Sequence, residues 1–240
     1  ATLKRERRNA HFLPDAPFPD GLEPLSDLDA ALADGADILI VVPSHAFREV
    51  LTRLAPQLGA AHRLAWASKG LEMASCKLLH QVADELLPAS LHRAVISGPT
   101  FAREVAAGLP TAATVASDDA ATAEYFAARL RGSTFRAYTS SDVIGVELGG
   151  ALKNELAIAA GISDGRGFGA NSRAALITRG LAEMIRLGEA LGGQRETFMG
   201  LAGVGDLVLT ATDDQSRNRR MGLALGRGQT RAQAHQAIGQ

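Results

Sequence analysis

The sequence predicts an α/β fold in which a mainly parallel sheet with its crossover helices gives way, near Ser140, to an all-helical segment. Three observations carry this prediction. Short, apolar, β-branched runs alternate with helical stretches from Ile38 to Tyr138. After Thr139 the alternation stops and only helical period remains. At 46% apolar and 21% charged over 240 residues, the chain reads as a soluble globular protein large enough for one or two cores.

In chain order, Ala1 to Arg8 reads as a charged helical tail, and Phe12 to Pro24 as a connection stiffened by Pro14, Pro17, Pro19 and Pro24. Leu25 to Ala33 reads as a short strand or turn and then a small helix capped by Ser26 or Asp27. Ile38 to Val42 is a continuous apolar run ending at Pro43, as expected of a strand buried on both faces. Ser44 is expected to cap a helix running to about Leu58. The unit then repeats: strand Arg63 to Ser68, helix Ser75 to Leu87, strand Arg93 to Ser97, helix Thr100 to Ala107. A third round follows, with strand Thr111 to Ala116, helix Ala120 to Leu130 and strand Thr134 to Tyr138. Asp142 to Leu191 then reads as two helices joined by a glycine-rich loop. The division implied is residues 1–140 and 141–240.

Composition excludes several classes of function. A net charge of -1 argues against a global affinity for nucleic acid or an acidic membrane surface. No apolar run approaches the roughly 20 residues that span a bilayer, and no signal peptide is visible. Cys76 is the only cysteine, so no intrachain disulfide forms and a reducing compartment fits best. No metal-ligand set is assigned.

Chemistry-bearing residues gather in three places. In the first long helix, Ile144, Leu148, Leu152 and Leu156 form one apolar stripe, while the neighbouring face carries Val146, Gly149, Gly150, Lys153, Ala157 and Gly161. Lys153 thus stands alone among small side chains, where another backbone or a ligand can approach closely. An ammonium there needs a partner or a task; the alternative is a lysine that snorkels to solvent. Beyond the strand ends, where ligands sit in an open parallel sheet, lie Pro43-Ser44-His45, Ser68-Lys69-Gly70 and Ser97-Gly98-Pro99-Thr100. Lys69 is either a cleft cation or a plain turn lysine. Thr100 is expected as the N-cap of a helix whose free N–H groups suit an anion. His45 is expected to be structural or on the surface. Finally, Asp206 precedes the apolar Leu207-Val208-Leu209, so a paired carboxylate at a core edge is expected. Ser216 followed by Arg217-Asn218-Arg219-Arg220 joins a helix N-cap to guanidinium, an arrangement suited to phosphate. A solvated charge run or a nucleic-acid contact is the other use of such a cluster.

Two glycine clusters, Gly165-Arg166-Gly167-Phe168-Gly169 and Gly203-Val204-Gly205, fail the context test for a dinucleotide fingerprint, because neither follows a strand and opens a helix within a βαβ unit. They are expected as loops between helices.

The stretches VVPSH, WASKGLE, ISGPTFAREVAAGLPTA, LGGALKNELAIAAGISDGRGFGANSRAALITRGLAEM and MGLAGVGDLVLTATDDQSRNRR together resemble the bacterial NAD(P)-dependent glycerol-3-phosphate dehydrogenases, across essentially the whole chain. The resemblance implies an incomplete Rossmann-like sheet, lacking the glycine fingerprint, followed by a truncated helical substrate domain. It implies reversible reduction of dihydroxyacetone phosphate to sn-glycerol 3-phosphate for glycerophospholipid synthesis, with NAD or NADP as cofactor. A cytoplasmic location is expected from the lone cysteine, and the oligomeric state stays open, a homodimer being the commonest default for a soluble enzyme. By the same resemblance Lys153 is the proton acceptor, and Lys69, Gly98, Thr100, Asn154, Asp206, Ser216, Arg217 and Asn218 line the substrate site. Lys69, Ala102 and Arg217 are implied to touch the cofactor. NAD and NADP both stay open, since the residue that discriminates them normally follows the second strand of the fold. The competing expectations are a related lysine-base dehydrogenase of another phosphorylated substrate, and a non-catalytic binding protein of the same fold.

Overall fold

The computed structural model describes residues 2–32 and 37–238; the expected helix ends at Ala1 and Ala33 lie outside them. A short helix α1 (Thr2–Glu6) and an extended, proline-marked connection lead to α2 (Leu28–Leu32). The α/β segment then runs β1 (Asp37–Ile40), α3 (Ser44–Leu54) with a 3-10 turn at Ala55–Gln57, β2 (Arg63–Trp66), α4 (Leu79–Leu86), β3 (His92–Ser97), α5 (Ala102–Ala106), β4 (Thr111–Ala116), α6 (Ala120–Leu130) and β5 (Phe135–Ser140). The five strands lie in sequence order. All neighbours are parallel except β3 and β4, which are antiparallel. The sheet is thus mainly parallel, as expected.

One face of the sheet is covered by α3 and α4, through Phe47, Leu51, Leu54, Leu79 and Val82 packed on Leu64 and Trp66. The other is covered by α6, through Phe126 and Ala127 packed on Ala65, Ala94, Ile96 and Val115. After Ser140 the chain is helical: α7 (Val143–Gly165), α8 (Gly169–Ala190), α9 (Arg195–Phe198), a π-helical turn at Leu201–Gly205, α10 (Asp206–Thr212), α11 (Arg217–Gly226) and α12 (Arg231–Ile238). A separate core forms there from Leu148, Ala160, Met184, Ile185, Phe198 and Leu207, with Ile144, Leu152 and Leu156 packed against it. Helix α7 belongs to both halves, since its Val143 and Val146 are buried in the core that holds Trp66.

Four local expectations change. The first strand is not buried on both faces: it ends at Ile40, it is the edge of the described sheet, and Leu39 and Val41 are 50% and 66% exposed. Ser44 is the first helical residue rather than the cap, which is Pro43. Helix α4 starts at Leu79, four residues later than the sequence suggests. There Cys76 takes a left-handed φ of 57°, and the Ser75 hydroxyl donates to Glu72 Oε2 at 2.5 Å, so local side-chain bonding competes with helix. Thr100 does not cap α5; its hydroxyl donates back to the Gly98 carbonyl at 3.3 Å, and the helix opens after Phe101.

Candidate active site

The small-residue face of α7 organises the site, because each small residue admits one of its parts. A Cβ at Gly149 would collide with the Ala202 carbonyl, so its absence lets the π-helical turn press against α7 and deliver Asp206. A Cβ at Gly150 would lie 2.9 Å from Ser97 Oγ and 3.4 Å from the Lys69 stem, so its absence admits Lys69. Gly161 and Gly165 face Gly222 and Gly226 of α11, with backbone against backbone. Gly98 shows the same economy at the end of β3, with φ of 155° and a Cβ that would sit 2.9 Å from Ala113 Cα.

Lys153 does not snorkel. It is 9% exposed, and its ammonium donates to Asp206 Oδ1 at 2.5 Å and to Thr210 Oγ1 at 3.1 Å. Lys69 approaches from the sheet side and donates to Asp206 Oδ2 at 2.6 Å and to the Gly98 carbonyl at 2.9 Å. One carboxylate therefore bridges two ammonium groups. Each ammonium has three N–H donors, so among the described residues each keeps one unspent. Thr210 in turn donates to the Asp206 carbonyl at 2.6 Å, which fixes its lone pairs toward Lys153. Burial, reinforced by the charge of Lys69, pushes the Lys153 pKa down to about 8 against the opposing pull of Asp206.

The second part of the site is the front of α11. Ser216 is buried and its Oγ accepts from the Arg219 N–H at 3.1 Å, the capping role expected for it. Asn218 Nδ2 donates to Asn154 Oδ1 at 2.8 Å, which couples α11 to the neighbour of Lys153. Arg219 turns away and pairs with Asp164 at 2.7 Å and with Asp214, so this arginine is spent on structure. Arg217 is exposed, pairs with no carboxylate among the described residues, and lines a cleft of about 530 Å³ with Asn218, Met221 and Arg231.

Of the residues singled out from sequence, Lys69, Gly98, Lys153 and Asp206 come together at one point, while Asn154 and Asn218 form an adjoining pair. Thr100 lies two residues after Gly98, and Ala102 is exposed at the start of α5. His45 is exposed on α3. Thr210 went unnoticed in the sequence; its signal was a hydroxyl one helical turn after Asp206. Gly203-Val204-Gly205 is a π-helical turn rather than a loose loop.

The residues at the sheet edge and the α11 front suit a nicotinamide dinucleotide. Among the described residues Lys69 keeps one N–H free and Arg217 pairs with no carboxylate, and Ala102 presents only a methyl group, so the contacts offered are cationic and unobstructed and fit a polyanionic nucleotide.

Comparisons with known proteins give the family. Residues 1–123 match the family described as NAD-dependent glycerol-3-phosphate dehydrogenase N-terminus, and residues 142–240 its C-terminus. The chain is 62% identical over its whole length to the glycerol-3-phosphate dehydrogenase [NAD(P)+] of Thioalkalivibrio sulfidiphilus, 72% of which it spans. It superposes on the crystal structure of glycerol-3-phosphate dehydrogenase from Coxiella burnetii with a TM-score of 0.95 at 54% identity, covering all of this chain and 73% of that one. On the yeast enzyme GPD1 the TM-score is 0.84 at 26% identity, over all of this chain and 71% of that one. The chain belongs to the NAD-dependent glycerol-3-phosphate dehydrogenase family.

Proposed function

We propose that this chain carries the catalytic machinery for the reversible, NAD(P)H-dependent reduction of dihydroxyacetone phosphate to sn-glycerol 3-phosphate, with Lys153 as the acid–base group. The observation that carries the reading is Asp206 held between two ammonium groups, one of them buried and lowered to about 8. Two ammonium groups stand against one carboxylate, and Arg217 adds a further cation at the front of α11, a balance suited to a phosphorylated substrate.

In the reduction direction the substrate carbonyl takes the unspent N–H of Lys153. A reduced nicotinamide, if held by Lys69, Ala102 and Arg217, would supply a hydride for the carbonyl carbon. As negative charge grows on the oxygen, Lys153 transfers its proton, leaving a neutral amine that Thr210 and Asp206 hold in place. In the oxidation direction the neutral amine removes the hydroxyl proton. Lys69 lowers the proton affinity of Lys153 and offers its own free N–H to the substrate or the cofactor. Asn154, Asn218, Ser216 and Arg217 are read as the phosphate end, with Gly98 and Thr100 as the wall opposite. Ala102 with Lys69 and Arg217 is read as the cofactor edge.

The same reading divides the chain into residues 1–140 for the cofactor and 141–240 for the substrate, since β5 ends at Ser140 and Asp142 caps α7. Among the described residues no helix is long and apolar enough to cross a membrane. That, with a single exposed free cysteine, supports a cytoplasmic setting for glycerophospholipid supply. A homodimer is the default assembly for such an enzyme and is checked by sizing.

The deciding experiment is Lys153→Ala in the full-length enzyme, assayed by NADH oxidation with dihydroxyacetone phosphate. We expect a loss on the order of 10³-fold in kcat with an unchanged circular dichroism spectrum. A folded variant turning over at the wild-type rate overturns the assignment. Parallel assays with other phosphorylated ketones separate a related dehydrogenase from this one.

A further inference from the structure

A buried carboxylate that the mechanism does not use lies one and a half turns before Lys153. Glu147 on α7 is 6% exposed, in a core otherwise lined by Trp66, Val143, Val146 and Leu79. An unpaired carboxylate there is costly, and it is not unpaired. Trp66 Nε1 donates to its Oε1 at 2.9 Å, and the backbone N–H of His80 donates to the same oxygen at 3.1 Å. His80 Nδ1 meets Oε2 at 2.6 Å. His80 is the second residue of α4, so its N–H is one of the orphan donors at a helix front, and Glu147 caps that helix from another element.

The connectivity gives this cluster its meaning. Trp66 is the last residue of β2, three residues before Lys69. Glu147 lies six residues before Lys153 on one continuous helix. A single pin therefore ties the strand that delivers one ammonium to the helix that delivers the other. The phosphate end is registered separately, through the glycine contact of α7 with α11.

We propose that Glu147 is a positioning residue for the reaction: through Trp66 and His80 it sets the approach of Lys153 to Lys69. The proposal rests on the assignment of Lys153 as the acid–base group. The other charged groups around the pin are Asp84 on α4, Arg93 on β3 and Asp118 after β4, which share a small cavity with His80 and Trp66. Burial opposes a charge on His80, but Glu147, with Asp84 and Asp118, more than offsets it and holds the imidazole pKa above its ordinary value.

The sign of one measurement separates position from through-space charge. Lys153 is lowered by burial and by Lys69. Loosening the pin relaxes both, so the acid limb of kcat/KM for glycerol-3-phosphate oxidation moves to higher pH. Removing a carboxylate charge without movement instead lowers the lysine further, and the limb moves to lower pH.

The test uses Glu147→Gln and Trp66→Phe in the full-length enzyme. Trp66→Phe removes one donor and leaves the Glu147 charge intact. For both we expect kcat to fall about tenfold, the KM for dihydroxyacetone phosphate to stay within about threefold, and the acid limb to rise by roughly half a pH unit or more. Trp66 is the only tryptophan of this chain, so the wild-type minus Trp66→Phe emission spectrum isolates its signal, and that signal should change in Glu147→Gln. If Glu147→Gln does not fold, Trp66→Phe carries the test alone. The proposal is overturned if melting temperature falls while kcat and the limb stay put, or if the limb moves down in Glu147→Gln and is unmoved in Trp66→Phe. Those results, with Lys153→Ala inactive, sink the positioning role alone; an active Lys153→Ala sinks the lysine assignment itself.

Discussion

At Lys153 two effects of similar size oppose each other. Burial and Lys69 favour the neutral amine, and Asp206 favours the ammonium; the first pair wins and the group titrates near 8 instead of near 10.5. A base with that pKa is half-charged near pH 8 and keeps both forms present on either side of it, which suits a reaction run in both directions. The consequence is an opposed pair of pH profiles. Oxidation of glycerol 3-phosphate needs the neutral amine, so its kcat/KM should rise through pH 8 and level off above it. Reduction of dihydroxyacetone phosphate needs the ammonium, so its kcat/KM should be flat below pH 8 and fall above it. Initial rates in both directions across pH 6 to 10 check this; limbs of the same sign in the two directions would remove Lys153 as the shared proton carrier. The depression also makes the charged Lys153 a cost to folding that is fully present below about pH 8 and is relieved between about pH 8 and 10.5, because the unfolded chain there still binds the proton that the folded one has released.

At the scale of elements, α7 and α11 make the contact that spaces the acid–base group from the phosphate end. Gly161 lies against the Arg219 carbonyl and Gly222 against the Ile158 carbonyl, so neither helix can retreat around an added methyl group without dragging Ser216, Arg217 and Asn218 along. Gly161→Ala should therefore cost about 2 kcal/mol or more and lower the melting temperature by roughly 5 °C. It should also raise the KM for dihydroxyacetone phosphate severalfold. Gly132→Ala, where nothing lies within 4 Å, is the control and should shift stability by no more than about 0.5 kcal/mol. Calorimetry and steady-state kinetics on the pair decide it, and equal behaviour of the two variants would contradict the packing argument. This face also shows what sequence makes legible. Small residues around one lysine at helical spacing are readable, because period and volume are local properties. So are β4 and α6, whose bounds match the alternation residue for residue. The antiparallel joining of β3 to β4 was not readable, since strand direction depends on the path of the connection, and here it contains only the five-residue α5. Thr210 was missed for a related reason: a threonine beside an apolar run looks like helix surface until Lys153 arrives from 57 residues away.

For the whole molecule, the site lies where two cores meet on one helix. Val143 and Val146 of α7 are buried with the sheet, Leu148 and Ala160 with the helical core, and Lys153 lies between Leu148 and Ala160 in sequence. Separate motion of the two halves has to pass through this helix, which is continuous from Val143 to Gly165. Function needs the lysines, Asp206 and the α11 front held to fractions of an ångström, and the fold serves this by burying the small-residue face of α7, against which Lys69, the turn before Asp206 and α11 all pack. Amide exchange should reveal that hierarchy. Residues of α7 from about Val146 to Ala160 should exchange only with global unfolding, alongside β2 and β3. Helix α12, of which only Ala234 is buried, and the five-residue α5, with no buried residue, should open locally and exchange orders of magnitude faster. Hydrogen–deuterium exchange with peptide-level mass spectrometry on the full-length enzyme measures this directly. If α7 exchanged as fast as α12, the two halves would be coupled by something other than this helix, and the site would assemble only on ligand binding. Slow exchange through α7 would mean that the acid–base group and the phosphate end are already registered in the free enzyme.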